Sequence, residues 1–213
     1  MAERTELRAH AGALSDPAER MERQALLLRT AHAAPILALA ARISDAVGRP
    51  VPGPDPLDGG VGARLLLLLE TPGPGMRAVD IVSRDRPGGT AANLRRFLGA
   101  AGIARQDTLI WNVVPWVIHA EGALNRPPRQ AELRSGLQYL PPLLDLLPAL
   151  RVVVLAGRFA AAADAPLRAV RPTLSVLAMP HPSPTFVCTS PAVPARIMAA
   201  LNAAAEMLSS CSV

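Results

Sequence analysis

From residue 63 onward the chain carries four short apolar runs, Arg64–Leu69, Thr108–Val113, Arg151–Ala156 and Leu174–Met179, with helix-like stretches between them. Runs of this length without polar alternation are strands buried on both faces. Strands of that kind, alternating with helices, build a parallel sheet covered on each side. The expected fold is therefore α/β: a three-layer αβα architecture around a central four-stranded parallel sheet. In such sheets ligands bind beyond the carboxyl ends of the strands, so any chemistry belongs at that edge.

The intervening stretches carry helix signals. Thr90 to Ala101 has Thr90 as a cap and Gly102 just past its end. Gln130 to Leu147 is a second helix, open to interruption at Pro141-Pro142. Gly157 to Ala163 starts a third, and Pro191 to Leu208 forms a fourth. Upstream, Asp16-Pro17-Ala18-Glu19 reads as a helix start, with a capping residue, a proline for the first helical position and an acid placed for a capping box. One long helix, or two broken near Ala33-Ala34-Pro35, should fill 17–46. Gly48 to Gly62 is rich in Pro and Gly and reads as a loop. Residues 1–14 show no pattern. The expected organisation is a helical segment and linker over 1–62, packing on a core domain over 63–213 as one structural unit.

Half of the 213 residues are hydrophobic but only 3% are aromatic, so Leu, Val and Ala must fill the core. The formal net charge is +5, yet no residue is Lys; every basic residue is Arg. Abundant Arg, Ala, Gly and Pro together are what a GC-rich coding sequence produces. The basic balance therefore points only modestly to nucleic acid, and a solvated Arg-rich surface explains it as well. Without Lys there is no Walker-type phosphate loop. No Gly-x-Gly-x-x-Gly follows the first strand, and no Gly-x-Ser-x-Gly elbow occurs. The two cysteines, Cys188 and Cys211, cannot make a disulfide framework, a Cys-rich zinc site or a four-cysteine iron–sulfur site. The longest leucine run, Leu65 to Leu69, is far too short for a membrane span, and the N-terminus mixes Glu with Arg. A soluble cytoplasmic protein without a membrane partner is expected.

Three strand ends carry chemistry. The first strand runs into Glu70-Thr71-Pro72-Gly73-Pro74-Gly75, a rigidly held carboxylate followed by a loop whose backbone can approach a ligand closely. The second ends in Trp111-Asn112-Val113-Val114-Pro115-Trp116, where Asn112 offers one acceptor and two donors for the edge of a base or amide. The fourth ends in His181-Pro182-Ser183-Pro184, where two prolines lock the backbone around Ser183 and present His181 at the rim. Each has a bland alternative: Glu70 as a cap, Asn112 satisfying a buried turn, His181 as a loop residue. Their convergence on one sheet edge outweighs these. His10, His32 and His119 read as surface or packing residues. Cys188 reads as a loop or small-core residue, not a nucleophile.

At these residues the chain resembles the uracil-DNA glycosylase superfamily. Glu70-Thr71-Pro72-Gly73 is similar to the Glu-Ala-Pro-Gly loop of the bacterial family-four enzymes, and Asn112-Val113-Val114 to their Asn-Val-Val strand end. Asn125-Arg126-Pro127-Pro128 and Val154-Leu155-Ala156-Gly157-Arg158 resemble the stretch before their last strand, and His181-Pro182-Ser183-Pro184 matches the superfamily's second motif. The likeness spans roughly 63–205 in the right order. The chain departs in three ways. None of the four cluster cysteines is present, so no cofactor is expected; Leu69 replaces the usual Gly before the acid; and Val79 to Gly89 lacks the aromatic on which most members stack the base. Arg86-Pro87-Gly88-Gly89-Thr90-Ala91-Ala92-Asn93 instead resembles the pattern entering a helix of the mismatch-specific members. Trp116 or the Ser83-Arg84-Asp85 turn then stands in as the base platform.

The resemblance implies hydrolysis of the N-glycosidic bond of uracil in single- or double-stranded DNA by a monomeric enzyme. Glu70 and His181 would be catalytic. Asn112, Thr71, Pro72, Gly73 and Trp116 would bind the base. Ser183, Pro184, Phe186, Arg84 and Arg86 would hold DNA, with Arg196 adding phosphate attraction and Thr185-Phe186-Val187 forming a wedge. The alternative is a catalytically weak or inactive protein of the same fold that binds lesions or abasic DNA.

Overall fold

The structure is a computed structural model, which describes residues 13–210 apart from 75 and 121. Most of the patternless 1–14 stretch, His10, Gly75 and Cys211 lie outside the described residues. Helix α1 (Pro17–Leu27) starts as expected: Asp16 accepts from the Ala18 N–H at 2.9 Å and Pro17 opens the helix. Glu19 does not close a capping box; its carboxylate pairs with Arg23 at 2.9 Å. After a break, α2 (Ala34–Val47) ends on Gly48 in the left-handed region, at φ 64°. Then follow β1 (Gly53–Pro54), β2 (Leu65–Leu69), β3 (Ile81–Val82), α3 (Gly89–Ala100) and β4 (Thr108–Asn112). The chain continues through α4 (Gln130–Leu137), α5 (Leu140–Asp145), β5 (Val152–Ala156), α6 (Asp164–Val170), β6 (Ser175–Met179), α7 (Pro184–Val187) and α8 (Ala192–Ser209).

Several boundaries differ from the sequence reading for identifiable reasons. Helix α3 begins at Gly89 with Gly88 as its cap, at φ 120°, so Thr90 sits inside the first turn. The 130–147 helix is two helices, because the prolines opening α5 have no N–H to continue α4. Gly157 does not start a helix. At φ 93° it turns the chain off β5, and a 3-10 turn, Ala160–Ala163, precedes α6. The 48–62 loop contains β1, which pairs in parallel with β3 as a separate two-stranded ribbon.

The main sheet is four-stranded and wholly parallel, in the order β4-β2-β5-β6. Period-two alternation sends its side chains to two covered faces. Leu66, Leu68, Leu109, Trp111, Val153 and Leu155 pack on α2, α4, α5 and α6; Leu65, Leu67, Ile110, Val152 and Val154 pack on α3 and α8. This is the three-layer αβα fold. At roughly 1.5–3 kcal/mol per buried Leu side chain, the five leucines of β2 alone contribute on the order of 10 kcal/mol. No described helix is long and apolar enough to cross a membrane.

Residues before the main sheet reach it through charge as well. Arg23 of α1 bonds Asp55 and Asp85, each at 3.1 Å. Arg105 bonds Asp85 at 2.7 Å and lies 3.0 Å from Asp58. Arg84 completes the group, 3.7 Å from Asp58. All of these except Arg105 are buried.

Candidate active site

A crevice of about 860 Å³ opens at the carboxyl ends of β2, β4, β5 and β6. Leu69 pairs with Asn112 across β2 and β4, and Ala156 with Met179 across β5 and β6, so the residues that follow emerge side by side. The ladder continues one step past the first pair: Val113 N–H donates to the Leu69 carbonyl at 2.8 Å and Val114 N–H to that of Glu70 at 3.1 Å. The main chain carrying Glu70 is thereby fixed to the strand end carrying Asn112.

Gly157 shows how closely the acid and the imidazole approach. A Cβ built there would lie 2.5 Å from Glu70 Oε1 and 3.1 Å from His181 Cβ. Both residues therefore flank one point in space; an L side chain at 157 would displace the end of the Glu70 side chain and would sit at φ 93°, where glycine is favoured. The Phe159 N–H donates to Glu70 Oε1 at 3.3 Å. Burial pushes the Glu70 carboxyl above its usual value, while that N–H and the nearby Arg158 guanidinium pull the other way.

Asn112 is buried, and its Oδ1 has no hydrogen-bond partner among the described residues. An amide that merely satisfied a buried turn would spend that acceptor on the turn. Here the acceptor has no partner among the described residues and is closed off from solvent as the side chain stands, while the residue itself, at the end of a rigid strand, lines the crevice.

His181 is half-buried beneath the exposed Phe186, with ring centroids 6.3 Å apart. The Ser183 N–H donates to Nδ1 at 3.2 Å. Nδ1 must then be the bare nitrogen, and the neutral ring carries its proton on Nε2. Burial lowers the His181 pKa to about 4, so the neutral form dominates at neutral pH.

Thr71, Pro72, Gly73, Arg86 and Phe186 also line the crevice. Arg86 stands 3.9 Å from Asp80. Ser183 and Pro184 do not line it: the Ser183 hydroxyl meets that of Thr185 at 3.0 Å, and Pro184 packs on Gly89. Two expected residues lie elsewhere. Trp116 is in the core, 4% exposed and edge-on to Tyr139 at 6.2 Å, so it is no base platform. Arg84 is buried, bonded to the Thr108 hydroxyl and paired with Asp58, so it faces no phosphate. Of the Ser83-Arg84-Asp85 turn only Ser83 lines the crevice; Asp85 belongs to the buried ionic group. The site gains Arg158 and Phe159, which the sequence reading did not assign. Their one signal is Gly157, a glycine directly off a buried strand. The Arg158 guanidinium lies over the Phe159 ring, 4.6 Å from its centroid. Among the described lining residues Glu70 is the sole acid, against Arg86, Arg126, Arg158 and Arg196.

At the carboxyl edge of this parallel α/β sheet the crevice thus brings together an acid, a buried amide and a neutral imidazole among four arginines. Residues 84–204 match the family model of the uracil DNA glycosylase superfamily, and the chain belongs to that superfamily. The match spans more than half of the chain and contains Asn112 and His181; Glu70 lies upstream of it. Membership gives the chain a DNA-glycosylase type of function in DNA repair, with DNA as partner. A search of curated proteins finds no match.

Proposed function

We propose that the chain removes uracil from DNA by hydrolysing the bond between uracil N1 and the sugar C1′, with no further strand cleavage. The observation that carries this is the buried, unpartnered Oδ1 of Asn112. A buried acceptor left unmade costs about 1–3 kcal/mol; with the amide turned toward the crevice, uracil N3–H would satisfy it while the same amide's N–H meets O4. The base must leave the duplex to get there, at a cost of a few kcal/mol.

As the glycosidic bond breaks, its electron pair moves onto the base, and O2 gains negative charge. Nε2–H of the neutral His181 donates there, where a preorganised donor is worth several kcal/mol. Glu70 faces the sugar, stabilises its cationic character and accepts the proton of the water that adds to C1′. A carboxyl raised above its usual value is a better base for that step. Thr71, Pro72 and Gly73 close over the base. Ser183 and Pro184 shape the loop along the DNA, Arg86, Arg158 and Arg196 attract phosphates, and Phe186, 54% exposed beside His181, fills the space left by the flipped nucleotide.

The test is release of free uracil from a single-uracil oligonucleotide under single turnover, with DNA binding measured on the same strand. Release by the wild type, abolished in His181→Ala and Glu70→Ala with binding retained, is expected. Binding without release by the wild type would instead establish a lesion-binding protein.

A further inference from the structure

We propose that Asn93 is a positioning residue for His181, selecting its Nε2–H form through a single peptide plane. The Asn93 side chain, on α3, donates from Nδ2 to the Pro182 carbonyl at 2.9 Å. That carbonyl and the Ser183 N–H are opposite ends of one peptide unit, and the Ser183 N–H is the donor to His181 Nδ1. A trans peptide is planar, with C=O and N–H pointing to opposite sides. Holding the oxygen therefore aims the hydrogen. The chain of donors runs Asn93 to Pro182, then Ser183 to His181, and each bond polarises the next.

A second contact keeps α3 and this loop in register. Gly89 lies one turn before Asn93 on the same helix face, and a Cβ at Gly89 would overlap the Pro184 ring. Pro184 therefore seats directly on the α3 backbone while Asn93 grips Pro182. Between the two grips lies Ser183, whose N–H is the group that must be aimed. His181 itself receives no side-chain partner from the described residues that would choose its tautomer. Burial leaves the ring neutral without deciding which nitrogen keeps the proton. The inference rests on the assignment of His181 as donor to the leaving base, where only the Nε2–H form is useful.

The experiment has one arm without substrate and one with it. Ring 15N shifts of histidine-labelled protein distinguish a protonated from a bare nitrogen, and the His181 signals are identified by their absence in His181→Ala. In the wild type, Nε2 should be protonated and Nδ1 bare near neutral pH. Asn93→Ala should give averaged ring shifts from mixed tautomers. It should also lower single-turnover uracil release about tenfold, with DNA affinity within about twofold. Asn93→Asp removes the same donor at constant size, serves if the alanine variant does not fold, and should behave likewise. Asn93→Gln, which keeps the donor, should move both readouts back toward wild type. Unchanged ring shifts in the alanine and aspartate variants, or a glutamine variant identical to alanine, would overturn the proposal. If the wild type released no uracil but its tautomer still depended on Asn93, the function proposed above would fall and the relay would stand.

Discussion

Asn112 and His181 carry the two residue-scale arguments. Uracil shows an acceptor at O4 and a donor at N3; cytosine shows a donor at N4 and an acceptor at N3. An Asn112 amide set for uracil puts N–H against N–H with cytosine and leaves buried groups unpaired, a mismatch that supports discrimination of about ten-thousandfold. Asn112→Asp reverses the pattern toward cytosine N4 and repels uracil O4. Uracil release should fall by at least a hundredfold while a trace of cytosine release appears, measured on matched oligonucleotides; near-normal uracil activity in that variant would remove Asn112 from base reading. The pH profile is the second case. In the proposed reaction, excision needs Glu70 ionised and His181 neutral, because a proton on Nδ1 would oppose the Ser183 N–H. Burial raises the Glu70 carboxyl, and His181 protonates only at about 4. The wild-type rate should therefore fall on the acid side with the midpoint of Glu70, above the ordinary carboxylate value. In Glu70→Gln the residual rate should persist down to about 4. An acid limb near the free-histidine value of about 6.5 in both proteins would show His181 titrating as if exposed.

At the scale of elements, the turns after the strands decide the site. Gly157→Ala puts a Cβ 2.5 Å from Glu70 Oε1 and forces an L side chain to φ 93°. The neighbouring Phe159 N–H would move with it. Single-turnover release should drop about a hundredfold, since displacements of about 1 Å can cost that much, while circular dichroism remains that of the wild type; full activity would mean that Glu70 and His181 need not share this point. Helix α7 makes a different prediction. In the proposed reaction its exposed Phe186 has a gap to fill only in a duplex. Phe186→Ala should slow excision from double-stranded DNA at least tenfold more than from single-stranded DNA, and equal losses on the two substrates would take the wedge role away from it. The four main-sheet strands were legible in the sequence because they read as short apolar runs, three of them buried along their whole length, and their observed bounds lie within one residue of those expected. Asn112, Glu70 and His181 followed from the strand ends. The Phe159 contribution did not, since a backbone N–H has no residue-type signature. Trp116 was misleading because an aromatic just past a strand end can turn to the core as readily as to the crevice, and here Tyr139 holds it inside.

Across the whole molecule the least legible feature is the buried ionic group, whose members are scattered over positions 23, 55, 58, 84, 85 and 105. In sequence Arg84 looks like any surface arginine. Its burial follows from partners that only the tertiary fold assembles, so the same residue that suggested a phosphate contact instead helps tie the N-terminal helices and the β1–β3 ribbon to the sheet. Within the group Asp58 is the weak point. It is 2% exposed, and among the described residues neither carboxylate oxygen has a well-aligned hydrogen bond, although Arg105 and Arg84 stand near. Burial dominates, and its pKa rises to about 7 in the folded protein, against about 3.9 in an unfolded chain. The folded state therefore binds a proton more tightly than the unfolded state. Between those values the native protein holds more protons, so the stability contributed by Asp58 is present at acid pH and declines as pH rises through about 7. The change is on the order of a few kcal/mol at most. Other shifted groups slope differently, Glu132 among them, held down to about 2 by Arg126; comparison with Asp58→Asn cancels them. Urea denaturation of both proteins near pH 5 and near pH 8 should show the wild type losing stability relative to Asp58→Asn as pH rises. Parallel stabilities across that range would mean that Asp58 stays ionised throughout, with Arg84 and Arg105 outweighing its burial.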